Sequence, residues 1–362
     1  MKTGMSKFTK GCLLTALVTF IIGCLICGVG ALLGGFRLLD GMDIQGITGI
    51  PFHFHRYENG GIQYGFGWDD DWDNDWDDDW DNDWNDDVDW SAYEKWNSIK
   101  DSDDKIKLDL TADTLRDLDI ELGACELHIM ESSDEYVWLD ISGNTKYFRY
   151  LVEDGDTLQM VHRTGRGFWN WSTGKINTTT KVYLYLPEGA MPNNAEIEIG
   201  AGSMESIGLQ AHEMNLEVGA GLCEIGGLTS VDSLELMVGA GRINIESLTA
   251  GKMDMDVGAG ELCINDAEVD GDADLELGVG SVELNGLFSG NMNVDCGMGN
   301  VTLYLQDAEE DHNYEIDCAM GNVNLGSRSY TGLADEKTIF NGSSSTYEIE
   351  CSMGSVNINF AN

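Results

Sequence analysis

Tryptophan and aspartate alternate in the segment of this chain whose residue types offer the clearest binding chemistry. The segment contains Trp68, Trp72, Trp76, Trp80 and Trp84, and Asp71, Asp75, Asp79 and Asp83 each directly precede one of these tryptophans. Carboxylates are ligands for Ca²⁺, and a dense array of them attracts cationic peptides whose apolar parts can contact the indole rings. A period of four stays on one face of an extended strand, and aspartate disfavours helix. The sequence predicts an extended stalk, and leaves Ca²⁺ or cationic-peptide binding open beside a purely solvated acidic spacer.

The charge balance excludes one large class of partner. The 362 residues include 64 acidic and 20 basic ones, which gives a formal charge of −44 at pH 7. Nucleic-acid binding requires basic surface, so we expect no nucleic-acid partner.

Motifs of familiar catalytic and metal sites are missing from the sequence. It contains no G-x-S-x-G, H-E-x-x-H or phosphate-binding P-loop. His53 and His55 alternate as on one face of a strand, but two ligands do not complete a metal site, and we expect surface histidines. We expect a protein that is not an enzyme and has no cofactor other than the Ca²⁺ considered above. The alternative is a glycan-processing β-solenoid that uses scattered carboxylates.

A single apolar segment near the N-terminus predicts a membrane anchor. No residue from Gly11 to Phe36 is charged, and one bilayer crossing needs about 20 such residues. Residues 1–10 carry three lysines, so the positive-inside rule predicts a cytoplasmic tail, a transmembrane helix over 11–36 and an extracytoplasmic remainder. A lipobox-like sequence ending at Cys24 offers lipidation as the alternative anchor. Either one places the acidic bulk outside the cell membrane, where an envelope protein, a cell-wall glycan or a cationic peptide is an accessible partner.

Eight short copies of a G-x-G-like motif reveal an internal repeat. Their final glycines are Gly202, Gly221, Gly241, Gly260, Gly280, Gly299, Gly321 and Gly354. The first five intervals alternate between 19 and 20 residues, which suits one coil of a solenoid per copy. Glycine at the bend suits either a positive φ or a corner where backbones pack closely. We predict an all-β fold, a single-stranded right-handed β-solenoid with coils of about 20 residues, preceded by one transmembrane helix.

Alignment on these glycines separates inward from outward positions. The third and fifth residues before the glycine are apolar, as in Val257 and Met255, and so is the fourth residue after it, except at Ser206. Alternate residues of a strand face opposite sides and equivalent residues of stacked coils align, so these positions predict inward columns. A third inward position is predicted at Leu209, Leu228, Leu248, Ala267 and Leu287. The position between the first two columns is acidic in most copies, as in Asp256 and Glu276, and it predicts an acidic outer face that is hydrated or binds cations.

Three cysteines occupy one of these inward columns. Cys296, Cys318 and Cys351 stand where the other copies have valine, isoleucine or leucine. This position predicts buried thiols that pack as small apolar side chains. A disulfide between stacked neighbours remains open, because adjacent strands satisfy the required Cα separation.

The remaining segments are assigned from composition and phase. Residues 37–104 form a predicted acidic Asp/Trp-rich linker, 105–190 an irregular β capping region and 191–362 the solenoid repeats. Within the capping region, DLDIELGACELHIM repeats the phase of a coil with Cys125 at the glycine position. TGRGFWNWSTG predicts a hairpin, and GSRSYTGLADEKTIFNGSSST, between the last two copies, predicts a loop.

These features resemble a family of bacterial cell-envelope β-strand-repeat proteins of unknown function, often labelled putative adhesins, which includes the G protein of the Lia stress-response operon. The resemblance covers roughly residues 105–362. It rests on the strand ending Tyr185-Leu186-Pro187, the run of G-x-G strand pairs after it and the single preceding apolar helix. It implies a Gram-positive envelope location and a role in adhesion or surface-stress response, and it offers no catalytic residues. The expected function is that of a non-catalytic, membrane-anchored interaction protein.

Overall fold

The computed structural model describes most of the chain after residue 92. The described residues are 93, 95–99, 105–163, 180–331 and 335–361, together with the backbone of four short strands at 52–56, 62–66, 169–170 and 175–176. The chain divides into two compact units, Met1–Trp84 and Asn85–Asn362. In the first unit, β1 (Phe52–Arg56) pairs antiparallel with β2 (Ile62–Phe66). His53 and His55 both lie on β1, as predicted.

The described part of the second unit is built almost entirely from strands. Its first half contains β3 (Asn97–Ser98), β4 (Ile106–Thr111), β5 (Asp117–Leu122), β6 (Cys125–Glu131), β7 (Tyr136–Ser142), β8 (Phe148–Glu153), β9 (Thr157–His162), β10 (Trp169–Asn170), β11 (Lys175–Ile176), β12 (Thr180–Leu186), β13 (Asn194–Ile199), β14 (Ser203–Ser206) and β15 (Leu209–Val218). Its second half contains β16 (Leu222–Val238), β17 (Arg242–Ala250), β18 (Met253–Val257), β19 (Glu261–Val269), β20 (Ala273–Leu277), β21 (Ser281–Phe288), β22 (Met292–Cys296), β23 (Asn300–Leu305), β24 (Asn313–Cys318), β25 (Asn322–Leu325), β26 (Arg328–Thr331), β27 (Asp335–Ile339), β28 (Thr346–Cys351) and β29 (Ser355–Phe360). Thr145–Tyr147 and Glu309–Asp311 form short 3₁₀ turns between strands.

Two parallel ladders of strands form the solenoid. The first ladder runs β9–β5–β13–β15–β16–β18–β20–β22–β28–β24. The second ladder runs β12–β6–β14–β16–β17–β19–β21–β23–β29–β25. A coil consists of one strand from the first ladder followed by one from the second, and the long strand β16 contributes to both. The predicted all-β solenoid is confirmed.

The inward columns are confirmed by burial. Val257 and Met255 are both fully buried, and so are the residues stacked on them in the neighbouring coils, Val238 with Leu277 and Leu236 with Leu275. Ser206, the polar exception, is buried as well, and its hydroxyl donates a hydrogen bond to the carbonyl oxygen of Gly208 at 3.1 Å. Each coil alone would leave these side chains in water, so burial requires the stack.

The third inward column breaks at Leu287. Leu209, Leu228, Leu248 and Ala267 are buried as predicted, but the pairing of β19 with β21 shifts after Ile264 and places Gly286 beside Ala267. Leu287 is therefore only half-buried, Gly286 takes the inward position of Ala267, and Phe288 is buried in register with Val269. A one-residue slip exchanges the two faces of a strand, which is the physical reason for the wrong assignment.

The stacking order departs from the chain order at both ends of the solenoid. The degenerate coil β5–β6 lies between the later coil β9–β12 and the coil β13–β14. The last coil, β28–β29, lies between β22–β23 and β24–β25. The repeat pattern correctly assigned Cys125 to the glycine position of a coil, since Cys125 stacks below Gly202. The pattern did not reveal that the coils at either end stack out of chain order.

Antiparallel strands cover the two ends. β8 pairs with β9 and β7 with β12 at one end, and β27 pairs with β24 and β26 with β25 at the other. The predicted loop between the last two copies is therefore wrong, because it contains β26 and β27. Covering the last parallel strand protects an edge that would otherwise pair with another chain. The predicted hairpin is confirmed by the pairing of β10 with β11.

The predicted anchor lies outside the described residues. Residues 11–36 are not among them, and no helix in the described part of the chain is long and apolar enough to cross a membrane. The transmembrane helix therefore stays a prediction, as do the proposed domain boundaries.

The inward and outward assignment can be tested with one pair of substitutions. Val257→Asp places an unpaired carboxylate in a fully buried column, and we expect it to lower the free energy of unfolding by about 3 to 5 kcal/mol. Glu276→Gln, on the exposed face, should leave it unchanged or slightly raised. Denaturant unfolding followed by circular dichroism measures both; equal effects of the two substitutions would refute the assignment.

Candidate interaction surface

The corner between the two ladders is a stack of glycine backbones. A Cβ added to any of the repeat glycines Gly202, Gly221, Gly241, Gly260, Gly280, Gly299, Gly321 or Gly354 would come closer than 3.0 Å to the carbonyl oxygen of the coil beneath it. None of these glycines has a positive φ. Close approach of backbones is therefore the reason for glycine at this corner, and a left-handed conformation is not.

Beside this corner, the outer face of the first ladder carries two columns of carboxylates. One column contains Asp119, Glu196, Glu235, Asp254, Asp274, Glu348 and Glu315. The other contains Glu121, Glu198, Glu217, Asp256, Glu276, Asp295, Glu350 and Asp317. Carboxylates on adjacent strands lie one strand spacing apart, about 4.8 Å. Asn215 and Asn293 interrupt the first column, and Met237 interrupts the second. We call this surface the acidic face.

Burial and mutual repulsion both disfavour the charged form of these carboxylates. The pKa of Glu198 is raised to about 7, chiefly by burial and then by repulsion from Glu217 and Glu121 on the flanking strands and from Glu196 on its own strand. Burial also raises the pKa of Glu217 to about 7, with added repulsion from Glu196 and Glu235. The pKa values of Asp119, Glu196, Glu235, Asp254, Asp256 and Glu276 are raised too, in each case chiefly by burial.

A guanidinium already occupies one end of the acidic face. Arg163 makes a two-point contact with Glu121, with Nη1 3.1 Å from Oε1 and Nη2 3.2 Å from Oε2. Its Nη2 also donates to the Tyr93 hydroxyl at 2.5 Å. The positive charge of Arg163 also favours the ionised form of Glu198, and it lowers the pKa of Glu198 in opposition to burial and the neighbouring carboxylates. The pair shows how a cationic side chain binds to this face.

The outer face of the second ladder has a different character. Its side chains are mixed, with ion pairs such as Arg242 to Glu261 at 2.6 Å. Near the C-terminal end, amides stack on three successive strands: Asn324 Nδ2 donates to Asn357 Oδ1 at 2.7 Å, and Asn357 Nδ2 donates to Asn300 Oδ1 at 3.3 Å. The strong acidity thus belongs to one face of the solenoid.

The cysteines of the described residues pack inside, with one exception. Cys351 stands in register with Cys296 on one side and Cys318 on the other, and all three are buried, as predicted. Cys296 and Cys351 form no disulfide. Burial raises the pKa of the Cys296 thiol to about 12, with a contribution from Cys351, so it is unreactive as a nucleophile. Cys263, half-buried, is the most accessible thiol of this set.

One buried polar network has no signal in the sequence. His312 Nδ1 lies 2.6 Å from Ser345 Oγ and its Nε2 lies 2.6 Å from Asp307 Oδ2. This chain of contacts matches the order of a serine nucleophile, a base and a carboxylate. His312 is 3% exposed and Ser345 6% exposed, so the hydroxyl is shielded from a substrate.

The surroundings of this network indicate a structural role. Asn313 Nδ2 donates to the carbonyl oxygens of Ser343 and Ser345 at 2.9 and 3.1 Å, and its Oδ1 accepts from the backbone N–H groups of Asn341 and Gly342. The His312 ring stacks on Tyr347 at 4.1 Å between centroids. Together these contacts fix the 341–345 turn that leads into the out-of-order coil β28–β29.

The ligand residues predicted from the Asp/Trp tract lie outside the described residues. Trp68, Trp72, Trp76, Trp80, Trp84 and their preceding aspartates Asp71, Asp75, Asp79 and Asp83 therefore remain predicted binding residues. Within the described ranges, no three His, Cys, Asp or Glu side chains come together in a way that could hold a metal ion. A Ca²⁺ site in the tract stays a prediction.

The pattern of inward columns and glycine corners is that of a known sequence family. The family model described as Toastrack DUF4097 matches residues 115–359. The chain belongs to this family. The match covers the solenoid and confirms the resemblance to envelope β-strand-repeat proteins of unknown function. No curated protein matches the chain.

Several solved structures are similar to the Toastrack domain of this chain. A putative adhesin from Bacteroides fragilis shares 14% identity over 72% of this chain and 100% of its own, with a TM-score of 0.41. A putative lipid binding protein from Parabacteroides distasonis shares 17% identity over 71% of this chain and 95% of its own, with a TM-score of 0.42. A putative adhesin from Parabacteroides merdae shares 14% identity over 72% and 98%, with a TM-score of 0.35.

The close packing at the glycine corner predicts that two Gly→Ala substitutions differ strongly in their effect on stability. At Gly260 a Cβ would lie 2.5 Å from both the Gly241 oxygen and Val238 Cγ1, whereas at Gly208 the nearest atom would be 3.9 Å away. We expect Gly260→Ala to lower the free energy of unfolding by about 1 to 3 kcal/mol, and Gly208→Ala to change it by less than about 0.5 kcal/mol. Chemical denaturation measures both; a tolerated Gly260→Ala would contradict the close-packing explanation.

The acidic face predicts that stability falls as the pH rises. Glu198 and Glu217 have folded pKa values of about 7, above their usual value of 4.5, so the folded state binds their protons more tightly. The resulting contribution to the free energy of unfolding is fully present below about pH 4.5 and is lost as the pH rises through 7. Buried His162 acts in the opposite direction, because burial lowers its pKa to about 4 and protonation below pH 6.5 favours unfolding.

Thermal unfolding from pH 5 to 8.5 separates the two effects. In the double variant Glu198→Gln, Glu217→Gln, we expect the melting temperature to fall less between pH 5 and 8.5 than in the natural chain, since His162 is present in both. Glu224→Gln on the second ladder controls for loss of a charge elsewhere. Parallel pH profiles for the natural chain and the double variant would rule out this role for the two glutamates.

Proposed function

We propose that this Toastrack protein is a membrane-anchored, extracytoplasmic interaction protein of the bacterial envelope that works without catalysis. The observation that carries the proposal is the acidic face, which runs along a stacked and capped solenoid and is unbroken from Asp256 through Glu276, Asp295 and Glu350 to Asp317. Stacking fixes the spacing of its carboxylates. Such a surface is suited to binding an extended partner, because it repeats the same chemistry at each coil.

The predicted anchor supports an extracytoplasmic location for this surface. The uncharged segment Gly11–Phe36 follows a lysine-containing tail, which supports a single-pass helix with its N-terminus in the cytoplasm. The solenoid would then stand outside the membrane, in a Gram-positive envelope, separated from the anchor by the Asp/Trp tract. A role in adhesion or in the response to envelope stress is consistent with that arrangement.

Electrostatics indicates which partners are compatible. At a formal charge of −44, the protein repels anionic polymers and attracts cationic ones at distances up to the Debye length, about 8 Å at physiological salt. The partners that we propose are therefore envelope proteins or peptides with basic surface, with neutral cell-wall glycans as an uncharged alternative.

Protease treatment of intact protoplasts tests the location. We expect the full-length protein to sediment with membranes and the protease to remove its acidic bulk, because the solenoid lies outside. Unchanged size and retention in Cys24→Ser would support the transmembrane helix, and accumulation of an unprocessed form would support lipidation instead. Full protection of the solenoid in intact protoplasts, with cleavage after lysis, would contradict the proposed topology.

A further inference from the structure

The middle residue of each G-x-G motif forms a ridge along the glycine corner. The backbone N–H of each of these residues donates to the preceding coil, as Met298 does to Gly278 at 2.8 Å and Met353 does to Gly297 at 2.7 Å. In stacking order the residues are Ala201, Ala220, Ala240, Ala259, Val279, Met298, Met353 and Met320. The ridge therefore changes from alanine to larger apolar side chains toward the C-terminal end of the solenoid.

These larger side chains face water. Val279 is 49% exposed, Met353 41% and Met320 56%, and Met298 is half-buried. Contiguous apolar side chains on a surface are a mark of binding sites. The fold does not require them, because alanine occupies the same corner position with the same backbone hydrogen bonds in four other coils.

The two flanks of this row of larger side chains differ in charge. Three residues before each ridge residue stand the exposed carboxylates of Glu276, Asp295, Glu350 and Asp317. Two residues after each ridge residue stand the neutral side chains of Ser281, Asn300, Ser355 and Asn322. The ridge is thus an apolar row with acidic side chains along one edge only.

We propose that Val279, Met298, Met353 and Met320, which we call the methionine ridge, form a docking site for a cationic amphipathic helix of a partner protein. This inference rests on the proposed function as an interaction protein and names the surface and the partner's chemistry. Charge complementarity favours this occupant, since a second copy of the chain or an anionic lipid surface would bring negative charge against the acidic flank.

The dimensions of the ridge agree with such a helix. Neighbouring coils are spaced by about 4.8 Å, so the four ridge residues span about 14 Å. A helix laid along the ridge rises about 5.4 Å per turn, so three turns place an apolar side chain near each coil while basic side chains beside them reach the carboxylates. Methionine suits this contact because its flexible thioether adapts to the shape of a partner.

The test uses a fluorescently labelled Leu/Lys helix about three turns long and the full-length chain in neutral detergent, with binding followed by anisotropy at low salt. The triple variant Met298→Ser, Met353→Ser, Met320→Ser should weaken binding about tenfold. The triple Leu variant at the same positions should keep the affinity, because it preserves the apolar row. Ala201→Ser, Ala220→Ser, Ala240→Ser, on the same corner, is the matched control and should bind as the natural chain does.

A second measurement does not depend on substitution. Peroxide oxidation of the natural chain, read by mass spectrometry, should show Met353 and Met320 protected by the helix, whereas the exposed Met130 of the second ladder stays reactive. This readout decides the question if the Ser variant does not fold.

Several results would overturn the proposal. One is equal affinity of the Ser and Leu variants for the labelled helix. Another is protection of Met130 from oxidation to the same degree as Met353 and Met320. A third is loss of binding when the five tract tryptophans are replaced by serine and the ridge is intact. Sedimentation showing that the ridge instead joins two copies would do the same. Each is independent of the protoplast result, so failure here leaves the proposed location untouched.

Discussion

Close packing of backbone on backbone at the glycine corner is the constraint on which the rest of the structure depends. A side chain at Gly280 would overlap the carbonyl of Gly260 in the coil beneath, so at the eight repeat glycines the strand spacing of about 4.8 Å can be kept only without a Cβ. That spacing brings the inward columns into contact. It also fixes the separation of the outward carboxylates, so one steric condition sets both the core and the charge density of the surface.

The energetic balance explains why such a charged surface is tolerated. A buried aliphatic side chain contributes about 1.5 to 3 kcal/mol, and each coil buries several, as Met255, Val257 and Ile264 illustrate. Like charges directly opposite each other on neighbouring strands are destabilising, whereas favourable cross-strand pairs contribute only roughly 0.2 to 1 kcal/mol each. The free energy that a coil gains by burying its core side chains therefore exceeds the cost of charge repulsion on the acidic face. Partial protonation of Glu198 and Glu217 near neutral pH lowers that cost further.

The inward columns could be predicted from the sequence because two periods agree, the alternation within a strand and the recurrence of about 20 residues between coils. The order of the coils could not. Cys296, Cys318 and Cys351 occupy equivalent positions, so either of the last two coils could stack on β22–β23 with the same column register. The deciding features are the seven-residue connection 306–312, which is long enough to pass one coil, and the contacts of Asn313 with the 341–345 turn. Those contacts join residues about thirty positions apart, and no local pattern encodes them.

The same division between constrained and unconstrained positions indicates where function can reside in this fold. The glycines and inward columns are fixed by packing, and a change there alters stability before it alters binding. The outward columns and the middle residue of G-x-G have no such restriction, since Ala259 and Met298 occupy equivalent corners with the same backbone hydrogen bond to the coil beneath. A repeat of this kind can therefore change its surface coil by coil without changing its core, and the acidic face and the methionine ridge lie at those unconstrained positions.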